Sequence, residues 1–227
     1  MKREEFLARV RSAAEAGRAY RVHADATIPN SAGYVGAGDD LPGQLAVEIT
    51  AVGGQATVVD DLPAAREVLS TLIEQYRPKT ALCWQHPVLE RLAVDSFLAE
   101  RGIARLTHDG LAALPPNEQR QRILAADIGI TSVTFAIAET GSLVMMSEPG
   151  RERLASLLPP VHVAIVERSQ ILPDLFDLFT EVQRAGYENL PSNLAFITGP
   201  SKTGDVEFTL TTGVHGPGKW HVIVVRA

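Results

Sequence analysis

The chain has 227 residues, 45% of them hydrophobic and 21% charged, and a formal net charge of −6. That composition is ordinary for a globular α/β protein, and the acidic balance without a basic run argues against nucleic acid as a main partner. No stretch approaches the roughly 18 consecutive apolar residues of a membrane span. The opening Met1-Lys-Arg-Glu-Glu carries acids and no apolar segment, so a signal peptide is not expected and a cytoplasmic location is.

Glu4 to Ala16 places Phe6, Leu7, Val10 and Ala14 at helical spacing, with Gly17 to end the helix. Tyr20 to Gly43 shows little periodicity and holds Pro29, Gly33, Gly36, Gly38 and Pro42, as a long surface connection would. A helix and extended arm over 1–43, followed by one α/β domain over 44–227, is the expected organisation. From Gln44 the pattern is regular: helix 44–51, strand 55–59, then a helix to about Tyr76 with Asp61 as N-cap and Pro63 near its first position. A strand follows over 80–84, a helix over 88–100, a short strand over 103–106 and a helix over 116–125. Alternation of short apolar strands with amphipathic helices predicts a parallel sheet with crossover helices.

The second half changes character. Asp127 to Glu139 is rich in Ile, Val, Thr and Phe and reads as a strand. Thr140-Gly141 turns the chain into a returning strand over 142–146, an antiparallel hairpin. A helical turn is expected within 151–158, strands over 161–167, 193–198 and 220–225, and a helix over 173–185. The fold class is therefore α/β, an open and mostly parallel sheet with an antiparallel hairpin insertion.

Cys83 is the only cysteine, which excludes an intrachain disulfide and any iron–sulfur cluster held by four thiolates of this chain. It lies in the apolar run Thr80-Ala-Leu-Cys-Trp84 and suits a core position. His23, His86, His108 and His162 show no metal-ligand spacing, so no resident metal is expected. His221, near the start of the last strand, reads as a packing or capping residue.

Three places carry candidate chemistry. Gly199-Pro200-Ser201-Lys202-Thr203-Gly204 follows an apolar strand and offers two hydroxyls, an ammonium and glycine-permitted backbone turns, the donors that phosphates or carboxylates require. It is not a P-loop, because Asp205 and Val206 stand where Lys and Ser or Thr belong. The same composition suits an ordinary glycine turn, and Asp205 and Glu207 suit either an acid–base pair or a solvated strand face. Glu139 with Thr140 and Gly141 forms an acidic hairpin tip, a carboxylate at a cleft mouth or a solvated turn. His215, hemmed by Gly213, Gly216, Pro217 and Gly218, is an imidazole open to a ligand or a turn histidine.

Four separated motifs then agree, in order, with one family. Ala138-Glu-Thr-Gly-Ser-Leu143, Leu158-Pro-Pro-Val-His-Val163, Gly199-Pro-Ser-Lys-Thr-Gly-Asp-Val-Glu207 and Gly213-Val-His-Gly-Pro217 with His221-Val222 resemble the LUD domain family over about Gln44 to Ala227. The resemblance implies a fold similar to the NagB/RpiA/CoA-transferase class. It also implies a non-redox part in bacterial L-lactate oxidation to pyruvate, with iron–sulfur clusters confined to partner proteins and an anionic small molecule as ligand. Lys202 and Gly204 depart from residues common at those places. The alternative is a stand-alone acyl- or phosphoryl-ligand enzyme with Glu139 as nucleophile or acid–base group.

Overall fold

The computed structural model describes residues 3–18, 38–186, 189–203 and 211–227. The chain falls into two units, Met1–Tyr34 and Val35–Ala227. In the first, α1 (Arg3–Arg18) opens on Glu4 and Glu5, whose carboxylates meet the positive end of the helix dipole. Residues 20–37 of the expected connection lie outside the described residues.

The second unit starts with α2 (Leu41–Ala51). The helix opens at Leu41 rather than Gln44, because the Asp40 carboxylate accepts the Gly43 amide at 3.2 Å and Pro42 fits the first turn. Next come β1 (Gln55–Val59) and α3 (Leu62–Tyr76), with Asp61 accepting the Ala64 amide at 2.9 Å as the sequence predicts. After β2 (Thr80–Cys83), the helix expected over 88–100 is two, α4 (Pro87–Arg91) and α5 (Val94–Ala99). Ala93 breaks it with φ 53°, and Arg66 donates to the freed Leu92 carbonyl at 2.9 Å. Then follow β3 (Ala104–Leu106), α6 (His108–Ala112), which the sequence reading lacks, and α7 (Pro116–Leu124).

The run 127–139 also divides, into β4 (Ile128–Thr131) and β5 (Phe135–Ile137), which belong to different sheets. The Gln170 amide holds the crossing by donating to Ser132 Oγ at 3.2 Å and to the Val133 carbonyl. β6 (Ser142–Met146) pairs antiparallel with β5, closing the expected hairpin. The remaining elements are α8 (Leu154–Leu157), β7 (Val161–Glu167), β8 (Ile171–Leu172), α9 (Leu175–Ala185), β9 (Leu194–Ile197), β10 (Lys202–Thr203), β11 (Thr211–Thr212) and β12 (Lys219–Val225).

The large sheet has six parallel strands in the order β1-β12-β7-β4-β2-β3. Its central strands β7 and β12 are buried along almost their whole length, as strands covered on both faces must be. The smaller sheet runs β8-β5-β6-β9 and is mixed, β5 and β8 being parallel. Its two faces separate by the period of two: Ile137 and Val144 pack with Leu178 and Val182 of α9, while Ala136, Ala138, Leu143 and Met145 join the main core. Leu45 and Ile49 of α2 are fully buried in that same core.

Gly129, the second residue of β4, decides how closely α8 approaches the large sheet. A Cβ there would sit 1.7 Å from the Ala155 carbonyl oxygen. The neighbour is backbone, so it cannot rotate aside, and the overlap would force α8 away from the strand. Gly129→Ala is therefore expected to lower unfolding free energy by about 1–3 kcal/mol, the cost of overpacking a filled interior. Urea denaturation checks it, and unchanged stability would show that α8 is not held by this contact.

Candidate functional site

β9 delivers the chain to Thr198, and the turn that follows is shaped by Gly199, whose φ is 111°. A side chain there would be strained, and its Cβ would meet the Val52 carbonyl oxygen at 2.9 Å. The Gly199–Thr203 loop is stapled to the 213–218 loop by two backbone bonds, Ser201 N–H to Pro217 O (3.0 Å) and Gly213 N–H to Ser201 O (2.9 Å). The Gly218 amide in turn donates to Pro160 O at 3.1 Å, just before β7. The two glycine-bearing loops singled out in the sequence thus form one double-layered rim.

Beneath this rim lies a cavity of about 240 Å³. Thr198, Gly199, Pro200 and Ser201 line it on one side, and His215, Gly216 and Pro217 on another. Phe196 and Ile197 come from β9, and Ser156 and Leu157 from α8. Two residues of the large sheet complete it, His162 of β7 and Trp220 of β12. These two are register partners on adjacent parallel strands, so their side chains leave the same face of the sheet. Gly129 is the partner of His162 on the other side, and its missing side chain is what lets α8 come down and wall the cavity.

His162 is 0% exposed and Trp220 2% exposed. The His162 Nε2 lies 2.8 Å from the Thr131 hydroxyl, while its Nδ1 has no hydrogen-bond partner among the described residues. The indole N–H of Trp220 likewise has none. Buried polar groups are nearly always satisfied, so two unpartnered nitrogens on register partners set this part of the sheet apart from an ordinary core. Burial, helped by the nearby His221, pulls the His162 pKa down from 6.5 to about 3. The ring is therefore neutral at physiological pH. No Asp, Glu, Lys or Arg lines the cavity among the described residues.

The other sequence-predicted residues distribute around this centre. Thr140 donates to Ser142 Oγ at 2.8 Å, and Ser142 Oγ lies 2.7 Å from Thr198 Oγ1, a hydroxyl chain joining the hairpin tip to the cavity rim. Gly141 packs against the α2 backbone, where a Cβ would lie 2.6 Å from Ile49 N. Glu139 is half-buried, its amide donates to Pro173 O at 3.0 Å, and it does not line the cavity. Lys202 donates its ammonium to Val52 O at 2.6 Å, at the carboxyl end of α2, which a cation favours. Thr203 sits in β10, paired with Thr211 of β11. Gly204, Asp205 and Glu207 lie outside the described residues.

Sequence reasoning missed His162, Trp220 and Ser156 as site residues. The available signal was a histidine inside the apolar run Val161-His-Val-Ala-Ile-Val166, where packing alone would favour an aliphatic side chain. The cavity lies at the amino ends of β7 and β12. His221, on the opposite face of β12, bonds the Tyr76 hydroxyl at 2.8 Å and anchors α3, the packing role expected of it. Cys83 is buried and its thiol is pushed up to about 12 by burial, so it supplies no thiolate.

The sequence matches the LUD domain over residues 43–225, and the chain belongs to the LUD domain family. It is 34% identical over 173 residues to lactate utilization protein C of Halalkalibacterium halodurans, covering 75% of this chain and 71% of the relative. Lactate utilization protein C of Macrococcus caseolyticus is 34% identical over 163 residues, covering 70% and 67%. The counterpart in Bacillus licheniformis is 38% identical over 112 residues, covering 48% and 47%. Among solved structures, a DUF162 family protein from Deinococcus radiodurans shares the fold at a TM-score of 0.59 and 21% identity, over 82% of this chain and 96% of that one. No helix among the described residues is long and apolar enough to cross a membrane.

The depressed His162 pKa has a consequence for stability. The folded protein refuses a proton that the unfolded chain accepts below about pH 6.5, so stability is intact above that value and falls as pH drops toward 3. By about pH 5 this group alone accounts for about 2 kcal/mol. His86, lowered to about 4 mainly by burial, and His221, also lowered by burial, add to the slope. His162→Gln is expected to remove about 2 kcal/mol of the stability lost between about pH 7 and about pH 5, measured by urea unfolding at both. An identical pH dependence would contradict a neutral buried imidazole.

Proposed function

We propose that this protein is a cytoplasmic, non-redox component of a bacterial L-lactate utilisation system. In this reading iron–sulfur partner proteins carry electrons away as lactate becomes pyruvate, and this chain binds an anionic small molecule. Membership of the LUD domain family and the relatives named lactate utilization protein C support the metabolic setting. The observation that carries the binding role is the cavity beneath the stapled 198–201 and 215–217 loops, whose Ser, Thr and His side chains line it. With Cys83 buried and protonated, thiolate ligation of a cluster falls to other chains. The alternative of acyl transfer at Glu139 draws no support from the cavity, which Glu139 does not line.

Deleting the gene for lactate utilization protein C in Bacillus licheniformis and supplying this chain tests the reading. Growth on L-lactate is expected to return, and a tagged copy is expected to retain iron–sulfur proteins from the same cells. A soluble, expressed chain that restores neither would overturn the proposal.

A further inference from the structure

We infer that a second cavity, bounded like the first by α8, is a binding site for a small uncharged aromatic molecule that carries one hydrogen-bond donor, a phenol in size and chemistry. Ser156 and Leu157 of α8 line the cavity under the glycine loops, whereas Leu154 and Ala155 line this one. The two cavities share no lining residue, so the inference stands apart from the anion-binding reading. The second cavity has a volume of about 160 Å³. Its walls are apolar: Leu82 and Cys83 of β2, Leu111 of α6 and Ile123 of α7 join the two α8 residues. An apolar space of about 150 Å³ stays dry and accepts a benzene-sized molecule, because water needs polar partners. Cys83, Leu111 and Ala155, all buried, close the inner end.

The polar side of the cavity sets the ligand class. His108, Gln119 and Glu152 line it. The His108 and Glu152 side chains are 38% and 41% exposed, so this is the side that meets solvent. Glu152 is fixed in advance of any ligand. Its carbonyl accepts the indole N–H of buried Trp84 at 2.9 Å, and its Oε1 accepts the Gly150 amide at 2.9 Å and meets His108 Nδ1. Both side-chain contacts fall on one oxygen, which leaves Oε2 without a partner among the described residues. A carboxylate oxygen accepts and cannot donate, so it selects a ligand with an O–H or N–H. A ligand carboxylate is disfavoured, since it would meet Glu152 and no Lys or Arg lines the cavity among the described residues. An uncharged ring therefore suits the walls and a single donor suits the mouth. Glu152 is the specificity-determining residue.

Calorimetric titration of the full chain with phenol and with toluene decides the matter, because the two are close in shape and differ in the donor. A purely apolar cavity prefers toluene, which has no hydroxyl to strip of water. Here phenol is expected to bind about tenfold tighter than toluene, the gain that one hydrogen bond to a charged acceptor supplies. Glu152→Ala deletes that acceptor and is expected to reverse the order while leaving toluene binding unchanged. Ile123→Trp enlarges a half-buried wall residue into the space and is expected to abolish binding of both molecules. Toluene binding as tightly as phenol, or phenol binding unchanged in Ile123→Trp, would overturn the inference. So would the lack of any saturable heat from phenol up to about 10 mM, a concentration beyond the weakest specific affinities. Each of these failures leaves the anion-binding reading standing. If a variant does not fold, the ranking of phenol and toluene on the wild-type chain still decides.

Discussion

Two adjacent parallel strands, β7 and β12, set His162 and Trp220 side by side with no charged side chain lining the space between them, and the rest of the site depends on that pairing. The pairing alone would leave the two side chains in an ordinary core. What turns it into a cavity is the combination of a missing side chain at Gly129, which admits α8, and the two stapled glycine loops, which roof the amino edge of the sheet. The large sheet supplies rigidity and the small sheet supplies the roof through β9. Neither alone encloses the space.

The electrostatics follow from this construction. Burial makes the imidazole neutral, so the interior offers direction without charge. Lys202 stands in the donor-rich loop, where composition alone names it as a counter-ion. Its ammonium instead holds the last turn of α2, and this ties the loop to the helix rather than presenting a cation to the cavity. The loop is therefore shaped by Lys202 and lined by its neighbours, a division that composition cannot distinguish. The hydroxyl chain from Thr140 through Ser142 to Thr198 serves the same end from the hairpin side.

Much of the fold was legible because its signals are local. Asp61 with Pro63, the apolar runs at 55–59 and 161–167, and the Thr140-Gly141 turn each specify their element within a few residues. The misses are tertiary. Nothing within 127–139 says that the chain leaves one sheet after Thr131 and enters another at Phe135, because Gln170, far along the sequence, holds the crossing. Ala93 adopts a left-handed conformation that its side chain does not announce, with Arg66 bonding the carbonyl before it. The site divides in the same way. Its rim was readable as Gly, Ser, Thr and His in loops, whereas His162 and Trp220 sit in strands whose apolar character hides them.

A histidine in the middle of a parallel sheet is an expensive choice if packing were its only task. Leucine or valine at that position would fill the volume without desolvating an imidazole or leaving a nitrogen unmet. Trp220 compounds the cost with a second unmet donor a strand away, and Gly54 has given up its side chain to seat the indole, since a Cβ there would lie 2.4 Å from Trp220 Cε3. Gly129 likewise gives up its own beside the Ala155 carbonyl. These departures from an aliphatic interior converge on one small volume at one edge of the sheet. Independent packing defects would scatter; these gather at one edge of the sheet, held by Thr131 on one side and by glycine clearances on the other.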